Sequence, residues 1–298
     1  MRPGPVFAAV QIDTIVEVCA PPRRAVHILT DIILTQKWKT SADAPEIADE
    51  WLSGFLSALK RRETQAHSMG SYLPFAFSSA DDDYIQGSSF VEPHDDGQTV
   101  EAKRRRANTL PIASSFEALT PTEFEVLCGG VLRFFGVSCP VISRRSADQG
   151  IDFYGHAPFT KVLAPERLPA GVERGLRVWI VGQAKHYSSV KVSTKELREL
   201  VGSAELARSK TFVGSVDPLG ELSTRICDPI FYMIVTSGRF TSDSRELVDR
   251  SGIIAMDQMQ LAQLLADNGI GATAAKITKE ELFSWLEHEP APSIAGST

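Results

Sequence analysis

The chain has 298 residues and a formal net charge of −6. That length suits one large or two medium domains, and the acidic balance provides no global positive field, so a nucleic-acid partner would have to meet a local basic surface. Hydrophobic residues make up 43% and charged residues 23%, the balance of a water-facing globular protein. No apolar run approaches the roughly 20 residues that span a bilayer, so no membrane partner is expected.

Asp13 and Glu17 interrupt the apolar N-terminus, which argues against a secretory leader. Four cysteines, Cys19, Cys128, Cys139 and Cys227, lie far apart without zinc-site spacing. A reduced, cytoplasmic compartment is the simplest expectation.

Residues 1–75 form the first zone. Val6–Val18 reads as a strand-like run. A helix is expected after Pro21-Pro22 in "RRAVHILTDIILTQKW", and a second in "APEIADEWLSGFLSALKRRE", where Ile47, Trp51, Phe55 and Leu59 recur on one face. The zone is predicted to be a small, mostly helical unit that binds a regulatory partner protein or a second copy of the chain. Residues 76–115 are polar, acidic first and then basic through Lys103-Arg104-Arg105-Arg106, and read as a linker. The basic run there either grips a phosphate backbone or keeps the linker solvated.

Residues 116–290 regain strong periodicity and are expected to form a second domain, with residues 291–298 a disordered tail. "TPTEFEVLCGGVLRFFGV" predicts a helix with Thr120 as N-cap, Pro121 at the first position and Glu123 closing a capping box. Its buried stripe is Phe124, Leu127, Cys128, Val131, Phe134 and Phe135. "CPVIS" reads as a short strand and "RRSADQGIDFYG" as a turn leading into another. A proline-bearing connection of unusual length then runs from His156 to about Gly175. "RVWIVGQAK" is a buried strand followed by the helix "STKELRELVGSAELARSK". Further on, "DPIFYMIVTSG" and "IIAMD" read as strands, and "TSDSRELVDRSG" and "QMQLAQLLADNG" as helices. Strand–helix–strand crossovers imply parallel pairs, so the fold class is α/β with a mixed sheet flanked by helices.

The chemistry gathers on two adjacent strands. Period-two alternation puts Gln183 and Lys185 on one face, with Trp179 and Val181 behind them. On the preceding strand Asp152 stands between apolar Ile151 and Phe153. If those strands pair, a carboxylate, an amide oxygen and an ammonium converge. Hard cations such as Mg2+ or Mn2+ take oxygen ligands and keep several waters, and a lysine beside a metal-bound water stabilises developing negative charge. That set suits phosphodiester hydrolysis.

The order "FE … DQGID … QAKHY … VTSGRF" resembles the catalytic domain of the Mrr-like restriction endonucleases, within the PD-(D/E)xK nuclease superfamily, over roughly residues 120–267. The resemblance implies a restriction-endonuclease-like mixed sheet, Mg2+-dependent cleavage of double-stranded DNA, and a role in restriction or antiphage defence. It makes Asp152 the metal-binding aspartate, Gln183 the residue standing where the superfamily has Asp or Glu, Lys185 the motif lysine and Glu125 a helical glutamate beside the metal. A neutral amide is a weaker Mg2+ ligand than a carboxylate, so metal affinity would lean on Glu125 or on DNA phosphates.

Each assignment has a plainer alternative. Asp152 could be a surface carboxylate after Gly150, Lys185 a strand-end lysine reaching to water, Gln183 a loop hydrogen bonder and Glu125 a solvated helix residue. His186, Arg144, Arg145 and Lys191 are the candidates for DNA contact. Their alternatives are packing for His186 and ordinary solvated charge for the rest. A catalytically silent interaction module and an RNA-cleaving nuclease are the competing functions.

Overall fold

A computed structural model describes residues 3–143, 150–158, 176–187, 189–211, 219–271, 277–287 and 293–294. The chain divides into two compact units, one of residues 1–110 and 262–273, the other of residues 111–261 and 274–298.

The first unit is built on helices. Helix α1 spans Pro5–Gln11 and runs into a 3-10 turn, Ile12–Thr14. The strand expected over Val6–Val18 is therefore a helix: Pro5 sits at its first turn, a position where a missing N–H costs nothing, and Ala8 and Ile12, four apart, are both buried. After strand β1 (Arg23–Arg24) comes helix α2 (Ala25–Thr35), with Ala25, Ile28, Leu29, Ile32 and Ile33 buried in an i, i+3, i+4, i+7, i+8 stripe. Helix α3 (Ala44–Met69) presents Ala44, Ala48, Phe55, Ala58 and Leu59 to the same core, and Gly70 at φ 57° ends it. Ile47 and Trp51 of the expected stripe are partly buried against that core. Each fully buried Ile, Leu or Phe side chain contributes about 1.5–3 kcal/mol relative to exposure.

Residues 76–115, expected as a linker, are folded. Strands β2 (Phe75–Phe77) and β3 (Tyr84–Gly87) form an antiparallel sheet with β1 in the order β1-β3-β2. Helix α4 (Gly97–Arg106) starts on the Asp96 carboxylate, which accepts from Thr99 N at 2.7 Å, and helix α5 (Thr109–Ser115) follows. The charges that looked like a solvated block pair with one another. Lys103 Nζ meets Asp95 at 2.7 Å, Arg105 meets Glu101 at 2.9 Å, and Arg106 donates twice to Asp267, at 2.7 and 3.0 Å.

The second unit is a mixed sheet with helices against it. Its elements in chain order are α6 (Pro121–Val131), β4 (Val141–Ile142), β5 (Phe153–Pro158), β6 (Arg177–Lys185), α7 (Thr194–Arg208), β7 (Ile230–Thr236), α8 (Ser242–Ser251), β8 (Ile254–Met256), the first turn of α9 (Gln258–Asp267, whose residues from 262 on belong to the first unit), α10 (Lys279–Glu287) and β9 (Ser293–Ile294). The strand order is β8-β7-β6-β5-β4-β9. Strand β6 runs antiparallel to β5 and parallel to β7, and β7 is parallel to β8, so the sheet is mixed as expected. The capping box of α6 is present, with Thr120 and Glu123 bonded reciprocally. Phe124, Leu127, Cys128 and Val131 are buried. Phe134 and Phe135 fall in a 3-10 turn, Leu132–Phe135, and are only half-buried. Ser293–Ile294, expected within a disordered tail, pair with β4. Most of the long connection after His156 lies outside the described residues.

Candidate active site

Asp152, Gln183 and Lys185 are placed by one antiparallel register. Phe153 pairs with Gly182, and the Asp152 N–H donates to the Gly182 carbonyl at 2.9 Å, which brings Asp152 opposite Gln183 one step further along. The Asp152 side chain then reaches across, its Oδ2 accepting from Ala184 N at 2.7 Å. On the other side, Ser143 N donates to the Asp152 carbonyl at 2.9 Å, and the Ser143 hydroxyl donates to the Ile151 carbonyl. The main chain at Asp152 is thus held from both sides, and its carboxylate from the β6 side.

Two glycines make the approach possible. A Cβ on Gly182 would lie 2.1 Å from the Phe153 ring, so the residue ahead of Gln183 is small because the ring crosses it. Gly150 has φ +90°, and a Cβ there would sit 2.9 Å from Ser203 Oγ and 3.6 Å from Gln183 Nε2. Only glycine adopts that backbone freely and leaves the room.

Burial distinguishes the three side chains. Asp152 is 9% exposed and Gln183 3%, while Lys185, the last residue of β6, is half-buried. The Gln183 side-chain oxygen has no hydrogen-bond partner among the described residues. A buried amide oxygen left in that state costs about 1–3 kcal/mol, which makes it a candidate for a ligand atom. The Lys185 carbonyl accepts from Thr236 Oγ1 at 2.8 Å and Ser237 N at 3.1 Å, fixing the strand end that carries the ammonium.

Glu125 lies on α6, and its field reaches the same region. The Cys128 thiol is pushed well above its usual range, first by burial and then by the charges of Asp152 and Glu125, so both carboxylates lie near that one buried sulfur. Glu123 is engaged elsewhere: it closes the capping box and pairs with Lys279, and these bonds hold its carboxyl down at about 2. A neighbour that the sequence reading did not single out is Glu196, in the capping box of α7. Burial opposes its charge, yet the Ser193 hydrogen bonds and the Lys185 field together hold its carboxyl below the usual range.

The expected DNA contacts fare differently. His186 has both ring nitrogens occupied, by Ser237 Oγ at 2.8 Å and the Leu119 carbonyl at 2.9 Å, and its ring stacks on Phe124 at 5.1 Å. These contacts give His186 a packing role at the end of β6. Lys191 is exposed and lines a cavity of about 500 Å3. Arg144 and Arg145 lie outside the described residues. Arg239 and Ser237, which line the same cavity, come from the "VTSGRF" turn and were not assigned a role from the sequence.

Among the described residues, one other group of oxygen and nitrogen ligands gathers, Glu92, His94 and Asp95 in the first unit. The Lys103 ammonium already sits 2.7 Å from Asp95 and 3.6 Å from Glu92, so an internal cation balances these carboxylates. No described helix is long and apolar enough to cross a membrane.

Residues 116–215 match a family model described as a restriction endonuclease, the Mrr catalytic family. Comparison with curated proteins gives no match. Among solved structures, similarity extends to the MspJI restriction endonuclease in complex with a 27-mer oligonucleotide, with a TM-score of 0.40 and 16% identity, covering 69% of this chain and 41% of that one. It extends also to the DNA modification-dependent restriction endonuclease AspBHI, with a TM-score of 0.38 and 16% identity, covering 71% and 46%. For the restriction endonuclease FokI the TM-score is 0.32 and the identity 9%, covering 94% and 45%. The chain spans less than half the length of each of these structures. The Asp152–Gln183–Lys185 register falls inside the matched segment, and residues 116–215 are accordingly similar to a restriction-endonuclease catalytic domain of the Mrr type.

Proposed function

We propose that the chain is a Mg2+- or Mn2+-dependent endonuclease that hydrolyses phosphodiester bonds of double-stranded DNA. The observation that carries this reading is the buried pair at the strand crossing: an Asp152 carboxylate opposite a Gln183 oxygen that no described residue satisfies. A carboxylate and an amide oxygen are the ligand types a hard cation takes, so Asp152 and Gln183 would hold the ion, with Glu125 adding negative charge near them. When bound, the cation supplies Lewis-acid stabilisation of a phosphoryl oxygen and an activated water.

The chain's own residues account for the rest. Ser143, Gly182 and Ala184 fix the Asp152 segment. Lys185, on the same strand face as Gln183, would present its ammonium beside the Asp152–Gln183 pair, where it stabilises charge on the attacking or transferring oxygens. The Glu196 carboxylate, held by Ser193 at the start of α7, acts on that ammonium through its field. A defence effector of this kind works in the cytoplasm and must spare its own cell's DNA. In this reading the first unit restrains or licenses cleavage by binding a partner protein or a second copy of the chain.

Incubation of the purified chain with plasmid DNA and Mg2+ or Mn2+ tests the reading. Nicking or linearisation that stops with EDTA is expected, as is its loss in Lys185→Ala with the fold intact by circular dichroism. Undiminished cutting by Lys185→Ala would remove that residue from the mechanism. Absence of cutting on any DNA, together with no Mn2+ binding in the presence of DNA, would leave the silent interaction module.

A further inference from the structure

Directly beyond Lys185 lies a cavity of about 500 Å3, within the second unit, lined among others by Phe116, Glu117, His186, Tyr187, Lys191 and Arg239. That volume falls in the range of ~300–1,000 Å3 typical of small-molecule pockets. Its place in the fold is informative. Strands β6 and β7 are parallel, with Lys185 opposite Thr236 at their carboxyl ends, and the cavity opens where both strands stop, at His186 and Ser237. Open α/β sheets hold ligands in the crevice outside the carboxyl ends of parallel strands.

The charge around this opening is distinctive. In the second unit six described cations sit against carboxylates: Arg177 and Arg225 with Asp228, Lys195 with Glu199, Arg245 with Asp257, Arg250 with Glu246 and Lys279 with Glu123. Lys191 and Arg239 line the cavity, both exposed, and neither has a carboxylate partner among the described residues. In a chain of net charge −6, two unmatched cations on one rim beside the candidate catalytic lysine are a local basic surface. The wall is rigid: His186 is bonded at both nitrogens, Tyr187 N donates to Ser237 Oγ at 3.0 Å, and Gly238 packs under Tyr187 and Val190, where a Cβ would meet both carbonyl oxygens at 3.2 Å. One carboxylate, Glu117, also lines the cavity.

We infer that this cavity is a DNA subsite: it takes the nucleotide next to the one being cleaved, with Lys191 and Arg239 on its phosphates and the Tyr187 ring against its sugar or base. The inference rests on the nuclease reading and adds to it where the strand runs, from the Asp152–Lys185 site past the ends of β6 and β7.

The test measures binding separately from cutting. A fluorescent duplex oligonucleotide is titrated with the full chain in EDTA and in Ca2+, over a series of salt concentrations. In the double variant Lys191→Gln with Arg239→Gln, affinity is expected to fall about tenfold, and the salt slope to flatten by about 1.8 if two phosphate contacts are lost. A control double variant, Arg198→Gln with Arg250→Gln, makes the same change in net charge at residues that do not line the cavity and is expected to leave both nearly unchanged. Equal losses in the two double variants, or no loss in the first, would overturn the subsite while leaving the nuclease reading intact. A wild-type chain that neither binds nor cuts DNA would overturn both. Thermal melting of each variant excludes unfolding as the cause.

Discussion

The Asp152 carboxylate accepts the Ala184 N–H at 2.7 Å, so one oxygen of the candidate metal ligand is tied to the strand that carries Gln183 and Lys185. The same group therefore has a structural and a chemical task, and substitutions can separate them. Asp152→Asn keeps an acceptor for Ala184 and should change stability by less than about 1 kcal/mol, while DNA cleavage falls by ~10²-fold or more as the negative ligand is lost. Asp152→Ala leaves the Ala184 N–H without its acceptor and should cost about 1–3 kcal/mol as well. Urea midpoints and plasmid cleavage on both variants check this, and a fully active Asp152→Asn would refute the ligand assignment.

Gln183 offers the opposite pairing of stability and function. Its buried oxygen lacks a partner among the described residues, so the folded chain carries a desolvation cost that a bound cation would repay. Gln183→Met removes the polar group at similar volume. Without metal the variant should be more stable than wild type by about 1 kcal/mol, and it should lose cleavage and Mn2+ affinity together. A destabilised Gln183→Met would mean that the amide oxygen is satisfied in solution and is not reserved for a ligand.

Acid should weaken the second unit through two carboxyls engaged in structural bonds. Glu123 is held at about 2 by Lys279 and by the Thr120 cap. Asp228 is also held at about 2; burial opposes its charge but is outweighed by the Arg225 side chain and amide and by the Trp179 indole. Both folded values are depressed below the ordinary 4.5 and 3.8. Their contributions are therefore present above those ordinary values and are lost as pH falls from about 4.5 toward 2. Glu123→Gln and Asp228→Asn should each flatten the loss of melting temperature across that interval. Profiles parallel to wild type would show that these bonds do not persist in solution.

Reading from the sequence worked where local pattern and tertiary environment agree. "VWIVG" is apolar at every position because β6 is central to the sheet, and Thr120-Pro121 with Glu123 specifies a helix start by itself. The Asp152–Gln183 encounter followed from period-two alternation and adjacent strands. The N-terminal Val6–Val18 run failed because a short apolar window fits either period, and burial of Ala8 and Ile12 decided for helix. Residues 76–115 failed for a different reason: their polarity is spent on pairing partners such as Asp267, distant in sequence. The packing of His186 was not legible because its acceptor at Leu119 is 67 residues away. The cavity at Lys191 and Arg239 needed the parallel register of β6 and β7, which composition does not carry.

The basic run Lys103–Arg106 yields the last prediction. Three of its four cations are committed within the first unit, and Arg106 donates two bonds to the Asp267 carboxylate. That geometry is the strong form of an ion pair, but both side chains are substantially exposed, at 50% and 34%, so the coupling should be about 0.5–1 kcal/mol. Arg106→Ala and Asp267→Ala should each lower the urea midpoint slightly, and the double variant should cost less than the sum of the singles by that coupling. Neither should alter the salt slope of DNA binding, since Arg106 would be neutralising Asp267 and not a phosphate. A shallower slope in Arg106→Ala would return the run to the DNA surface and show that the Asp267 pair opens when DNA is present.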